Sequence, residues 1–151
     1  YLRLEDNAKT LLGSSDKSGI FMGFDVGYAS DLFYVNGGYV KTDKDMPIYA
    51  LATDNDGFIQ FGQQLYTMYT NEADAKTFYL YGGLTYNKYG AEIGYGTAEI
   101  GANKNDYEEF YGLVSYQYAK NLYLELYYSV LTSDVSALEN NELRFEINYT
   151  F

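Results

Sequence analysis

Residues 143–151 read Leu-Arg-Phe-Glu-Ile-Asn-Tyr-Thr-Phe, apolar and polar in strict alternation. A strand has a side-chain period of two, so Leu143, Phe145, Ile147, Tyr149 and Phe151 share one face. Arg144, Glu146, Asn148 and Thr150 share the other. A helix, with its period of 3.6, cannot sort these residues. One face of this strand needs an apolar neighbour and the other needs water. Two environments supply that pair: the closing edge of a soluble β-sandwich, or a membrane. About ten residues of tilted strand is the length that crosses the hydrocarbon of a bilayer.

The alternation recurs upstream. After a polar loop at 6–18, Ile20, Met22, Phe24, Val26 and Tyr28 form one apolar face, and Phe33, Val35, Gly37 and Tyr39 the next. Residues 46–53 read as a weaker strand, with Pro47 near its start. Ile59, Phe61 and Leu65 then oppose Gln60, Gly62 and Gln64. Four more apolar rows follow, beginning at Phe78, Ala91, Phe110 and Leu122. With the last strand and a stub at 1–5, the pattern predicts nine strands and part of a tenth, with almost no helix.

Connection lengths sort by side. If successive connections alternate between two ends, the short ones (30–31, 54–57, 87–88, 120–121) all fall at one end. The longer ones (6–18, 42–45, 71–76, 101–106, 132–141) fall at the other, provided 46–53 is a strand. Short turns on the periplasmic side and longer loops outside are the rule for outer-membrane barrels. The expected fold is therefore all-β, an antiparallel up-and-down transmembrane β-barrel, one domain over 1–151.

The predicted outward face carries Phe, Ile, Leu, Val, Tyr and Gly, with no charge at mid-strand. A Lys or Arg there costs roughly 2–4 kcal/mol at the bilayer midplane. The inward face offers Asp25, Gln60, Gln64, Glu92, Glu109, Glu125, Arg144 and Glu146 as candidate pore-lining residues, with Asn148 beside them. Five acids against one base predict a lumen that favours cations; the alternative is that these are solvated groups at no constriction. Inward glycines at 23, 38, 62, 83, 90, 94 and 96 favour open space over a plugged interior. Tyr28, Tyr86, Tyr89, Tyr118, Tyr149 and Phe151 are expected at the periplasmic rim. Tyr66, Tyr69, Tyr95, Tyr107 and Tyr128 are expected at the outer one, as headgroup-level girdles. Phe151, with apolar residues at alternate positions before it, also resembles the C-terminal signal read by the bacterial outer-membrane assembly machinery.

Composition removes most other classes. The chain has no His and no Cys, which excludes imidazole and thiolate metal sites, serine–histidine triads and disulfides. A net charge of −11 argues against nucleic acid, whose phosphates need clustered Lys and Arg. The longest charge-free run, 57–71, contains three Gln, so no transmembrane helix is expected. The 19 % aromatic content, 20 Tyr and 9 Phe, suits pleated surfaces. Mean hydropathy is below zero, as in barrels whose strands each wet one face. Asp54-Asn55-Asp56-Gly57 matches the start of a calcium loop but lacks its closing Glu, so it reads as a turn. The glycosylation sequon at Asn148 carries no meaning inside a bacterial barrel strand. No carboxylate pair has catalytic context. Neither enzyme activity nor a cofactor is expected, and with no signal peptide and Tyr1 first, the chain reads as a processed product or a fragment.

One family resemblance adds to this. Residues 42–59, through Met46-Pro47-Ile48-Tyr49 and Asp56-Gly57-Phe58-Ile59, resemble a stretch in the last third of the major outer-membrane porins of campylobacter-like (epsilon-proteobacterial) bacteria. The later Gly- and Tyr-rich hairpins and the Tyr149-Thr150-Phe151 terminus are similar too. The resemblance implies a bacterial outer-membrane porin, homotrimeric when full-length, passing small hydrophilic solutes and cations, in contact with membrane lipid and lipopolysaccharide. It implies that this chain is the C-terminal ten or so strands of a barrel of roughly 16–18. That family's constriction loop is expected upstream of Tyr1, so no pore-lining residue carries over by motif. The rival expectation is a small barrel with a plugged lumen, serving as structural anchor or surface adhesin.

Overall fold

A computed structural model describes residues 2–3, 18–19, 21–42, 44, 61–62, 64–65 and 73–150, and the account below concerns these. Two short strands, β1 (Leu2–Arg3) and β2 (Ser18–Gly19), pair with each other. The other seven form one sheet: β3 (Phe21–Ala29), β4 (Phe33–Thr42), β5 (Lys76–Tyr86), β6 (Tyr89–Ile100), β7 (Asn105–Ala119), β8 (Leu122–Ser133) and β9 (Asn140–Tyr149). Spatial order equals chain order and every neighbour is antiparallel, so the sheet is an up-and-down meander.

Local chemistry sets the short turns. Asn87 takes φ 55° in the two-residue link from β5 to β6, a left-handed conformation that Asn tolerates because its side chain hydrogen-bonds locally. Ser30 Oγ accepts from the Phe33 amide at 3.2 Å and closes the β3–β4 turn. Beside the β7–β8 turn the register slips between Gln117 and Ala119, and Gln117 Nε2 donates to the Ala119 and Leu122 carbonyls that the bulge frees.

Register reproduces the two predicted faces along β3 to β9, Tyr107 excepted. Val35, Gly82, Ile93, Gly112, Tyr128 and Leu143 lie in one row across the sheet. In the adjacent row, on the opposite face, lie Ala29, Tyr34, Gly83, Glu92, Leu113, Tyr127 and Arg144. The apolar face is bare: Ile93 is 63 % exposed and Leu143 70 %. On its mid-strand positions there is no charge. Its ionic residues gather at the long-loop end, Lys41, Lys76, Glu99 and Asp106 in one row and Glu108 in the next row on that face.

The strands are also staggered in one direction. The row that starts at Ala29, the last residue of β3, reaches β9 at Arg144, five residues short of Tyr149. Strands tilted against a common axis produce this offset.

Two sequence expectations need correction here. β4 pairs directly with β5, so no strand stands between them and the sheet has seven strands, not nine. Residues 46–53 and Ile59 lie outside the described residues. Phe61 and Leu65, expected on the outward face of a strand, are instead buried on the inward side, with Gln64 and Leu65 in helical backbone. Because β4 and β5 are adjacent and antiparallel, the sorting of connections by length survives. The turns 30–32, 87–88 and 120–121 share one end, and 43–75, 101–104 and 134–139 the other. The long 43–75 connection is clamped at its base, where the Thr42 amide donates to the Ala75 carbonyl and the Ala75 amide to Thr42 Oγ1.

Candidate functional site

The polar face of the sheet is the candidate site. It divides in two along the strands. Toward the long loops it is covered by the segment at 61–65; toward the short turns it is open.

The covered half is a small aromatic core. Phe61 stacks on Tyr79 at 5.1 Å, with Tyr111 at 5.6 Å, and Leu65, Val40, Ile100, Tyr107 and Leu131 complete it. Glycines make the room. A Cβ at Gly96 would strike the Phe61 ring, one at Gly94 the Tyr111 ring, one at Gly83 the Tyr34 ring and one at Gly38 Tyr79. The inward glycines at 38, 83, 94 and 96 therefore seat aromatic rings and do not leave open space. Covering a strand glycine with a neighbouring ring restores the packing that the missing side chain forgoes.

Glu109 fixes the segment in place. It has no exposure at all, and its carboxylate accepts from the Leu65 amide at 2.9 Å, the Gln64 amide at 3.4 Å and the Tyr127 hydroxyl at 2.9 Å. Gln64 adds a side-chain bond to Ser129 Oγ at 2.7 Å and accepts one from Asn140 at 2.8 Å. Glu109 was expected among water-lined residues; it is a buried anchor. Charge-assisted bonds to backbone donors are what make such burial tolerable.

The open half carries the remaining acids. Glu92 accepts from the Tyr111 hydroxyl at 2.6 Å and from that of Tyr34. Asp25 accepts from Tyr79 at 2.6 Å and Glu125 from Tyr123 at 3.1 Å. Arg144 pairs with Glu146 at 2.7 Å and Glu142 at 3.6 Å, its guanidinium 4.9 Å over the Tyr127 ring. Asp25, Glu92, Glu125, Arg144 and Glu146 thus share one face, as alternation places them, with Gln64 reaching it from the segment above. Gln60 lies outside the described residues. Alternation also marks Glu142, which is absent from the candidate set above, and the tyrosines that hold the acids. What no sequence pattern announced is that those tyrosines, at 34, 79, 111, 123 and 127, each donate to a carboxylate.

Aromatic rims flank the apolar face. At the short-turn end Tyr86 faces Tyr89 across the pair, and Tyr89 lies 5.0 Å from Tyr116. Tyr28 meets Phe33, and Tyr118 meets Tyr116 edge-on, while Tyr149 is exposed. At the other end stand Tyr39 and Phe78, 4.5 Å apart, with Tyr95, Phe110 and Tyr128. Tyr107, expected in that outer rim, is buried on the inward face because it pairs with Ala98 and Ser133. Tyr66, Tyr69 and Phe151 lie outside the described residues. Beyond the apolar band, Lys76 Nζ donates to Glu99 at 2.8 Å and Lys104 stands 3.8 Å away. The Lys76 ammonium holds the Glu99 carboxyl below its ordinary 4.5, and Glu99 in return raises Lys76 above 10.5.

Among the described residues no helix is long and apolar enough to cross a membrane, and no group of acidic side chains is arranged to hold a metal ion. No protein-family profile, curated protein or solved structure matches this chain.

Proposed function

We propose that this chain forms the wall of a bacterial outer-membrane diffusion channel, a β-barrel of the porin type related to those of campylobacter-like bacteria. The channel is water-filled, passes small hydrophilic solutes and prefers cations. The observation that carries this reading is the partition of the sheet: an unbroken exposed apolar face between two aromatic rims, backed by a face of acids and tyrosines. Soluble monomers rarely expose contiguous apolar patches beyond a few hundred Å². Among the described residues 24 large apolar side chains are 40–70 % exposed, all but Leu32 and Leu138 on this face.

The dimensions agree with a bilayer. From Phe78 to Tyr86 is eight residue steps, ~27 Å along a strand. At a tilt of ~40° that is about 21 Å of height, close to the ~25 Å apolar band of outer-membrane barrels. The one-way stagger is what closure into a cylinder requires. Six inward acids against Arg144 give the lumen its sign, and the segment at 61–65 narrows it from one side. Lipid and lipopolysaccharide surround the wall, and further copies of the protein complete a trimer.

A second reading has its own support. Phe61 and Leu65 form a dry cluster on the inward face, which suits a barrel that is plugged and serves as an anchor or adhesin. Reconstituting the full-length gene product in a planar bilayer separates the two. Ohmic conductance with a reversal potential displaced toward cations is the expected result. Silent insertion contradicts the channel and supports the anchor.

A further inference from the structure

Below Gly62, where the covered half of the inward face meets the open half, lies a cavity of about 220 Å³. Rings of Tyr81, Tyr111 and Tyr127 wall it, and the carboxylates of Glu92 and Glu125 open into it. Among the described residues neither carboxylate forms an ion pair. The one cation at the cavity wall, Arg144, is taken by Glu146 and Glu142. Two negative charges therefore face a half-open, aromatic-walled space whose one lining cation is already paired with other carboxylates. We propose that this cavity binds a small organic cation, an amine or a quaternary ammonium group.

The chemistry discriminates among occupants. An anion is repelled. A neutral polyol leaves both carboxylates uncompensated, and their lone pairs already receive the Tyr34, Tyr111 and Tyr123 hydroxyls. A hydrated inorganic ion must shed water to fit between tyrosine rings, which offer few replacement ligands. An alkylammonium is weakly hydrated and gains from the negative faces of the rings as well as from the carboxylates. Arg144 over Tyr127, 4.9 Å from its centroid, shows that chemistry already in use at the wall.

The proposal deepens the channel reading and rests on it for access of solute from water. The test is calorimetric titration of the full-length, detergent-folded protein with tetramethylammonium at constant ionic strength in KCl. Saturable binding is expected, weakened about tenfold in Glu125→Gln, which removes one charge-assisted contact. Glu92→Gln disturbs two tyrosine hydroxyls and risks the fold, so Tyr81→Leu serves as the second cavity variant, with the same expected loss. Asp25→Asn, an inward acid outside the cavity, is expected to bind as the parent does. The proposal is overturned by absence of saturation, by equal loss in Asp25→Asn, by K⁺ competing as strongly as tetramethylammonium, or by comparable binding of glucose. A conducting protein without saturable binding sinks the site and leaves the channel. A silent protein that binds sinks the channel and leaves the site.

Discussion

Glu109 and Gly62 are the residues on which the inward segment depends. The Glu109 carboxylate is the acceptor for two backbone amides and one phenol, all away from water. Glu109→Ala strands those donors and is expected to cost roughly 1–3 kcal/mol of stability. If the segment narrows a channel, the same change raises single-channel conductance and its noise. Stability unchanged within error would remove Glu109 from its role as anchor. Gly62 sits at φ 63°, and a Cβ there would collide with the Glu109 carboxylate. Gly62→Ala therefore adds left-handed strain of about 1–2 kcal/mol. Both substitutions release one contact, so their effects are expected to combine less than additively in a double-mutant cycle; strict additivity would show that they act separately. At the rim, Lys76 and Glu99 give a pH signature with a definite sign. Glu99 is depressed in the folded state, so its contribution is present above the ordinary 4.5 and fades as pH falls through the lower folded value. Lys76 is raised, so its share is complete below the ordinary 10.5 and lost only above it. Lys76→Met should thus differ from the parent by a constant small amount from pH 5 to 9. That difference should shrink in acid and with added salt; a gap that widens in acid would refute the pairing.

Among the elements, the strands were read correctly where alternation is clean and local. Residues at 78–86, 89–99 and 122–131 alternate without interruption, carry turn residues such as Asn87 between them, and form β5, β6 and β8 with the predicted faces. The failures share a cause. Ile59, Phe61 and Leu65 alternate with Gln60, Gly62 and Gln64 as a strand would, yet a strand also needs a partner, and β4 and β5 already hold each other. Phe61 and Leu65 bury themselves against tyrosines in long-range contacts that no local period encodes. Tyr107 and Glu109 show the same limit. Alternation placed Glu109 inward but could not say that backbone amides from forty residues upstream would cover it. The faces make a prediction of their own on β6. Ile93→Arg puts a cation at mid-band on the apolar side and should cost about 2–4 kcal/mol of folding free energy in membrane or detergent. The inward change Glu125→Arg on β8 should fold more readily and alter ion preference. Equal tolerance of both would mean the faces are not in different solvents.

For the whole molecule, the stagger and the bare apolar face are what support the proposed environment. Seven strands offset in one direction, with an apolar exterior about one bilayer high, fit lipid on one side and water on the other. Among the described residues neither edge of the sheet, β3 or β9, has a further strand partner, and the proposed closure into a cylinder would satisfy both. These 151 residues contain no cysteine, so a thiol introduced among them is the only one there and makes this environment readable. Glu125 pairs with Glu146 across β8 and β9, and Leu126 with Phe145 in the next row on the opposite face. With the full-length protein in liposomes, a charged, membrane-impermeant thiol reagent should label Glu125→Cys and Glu146→Cys and spare Leu126→Cys and Phe145→Cys. Labelling of all four alike, or of the Leu126 and Phe145 positions in preference, would contradict the account.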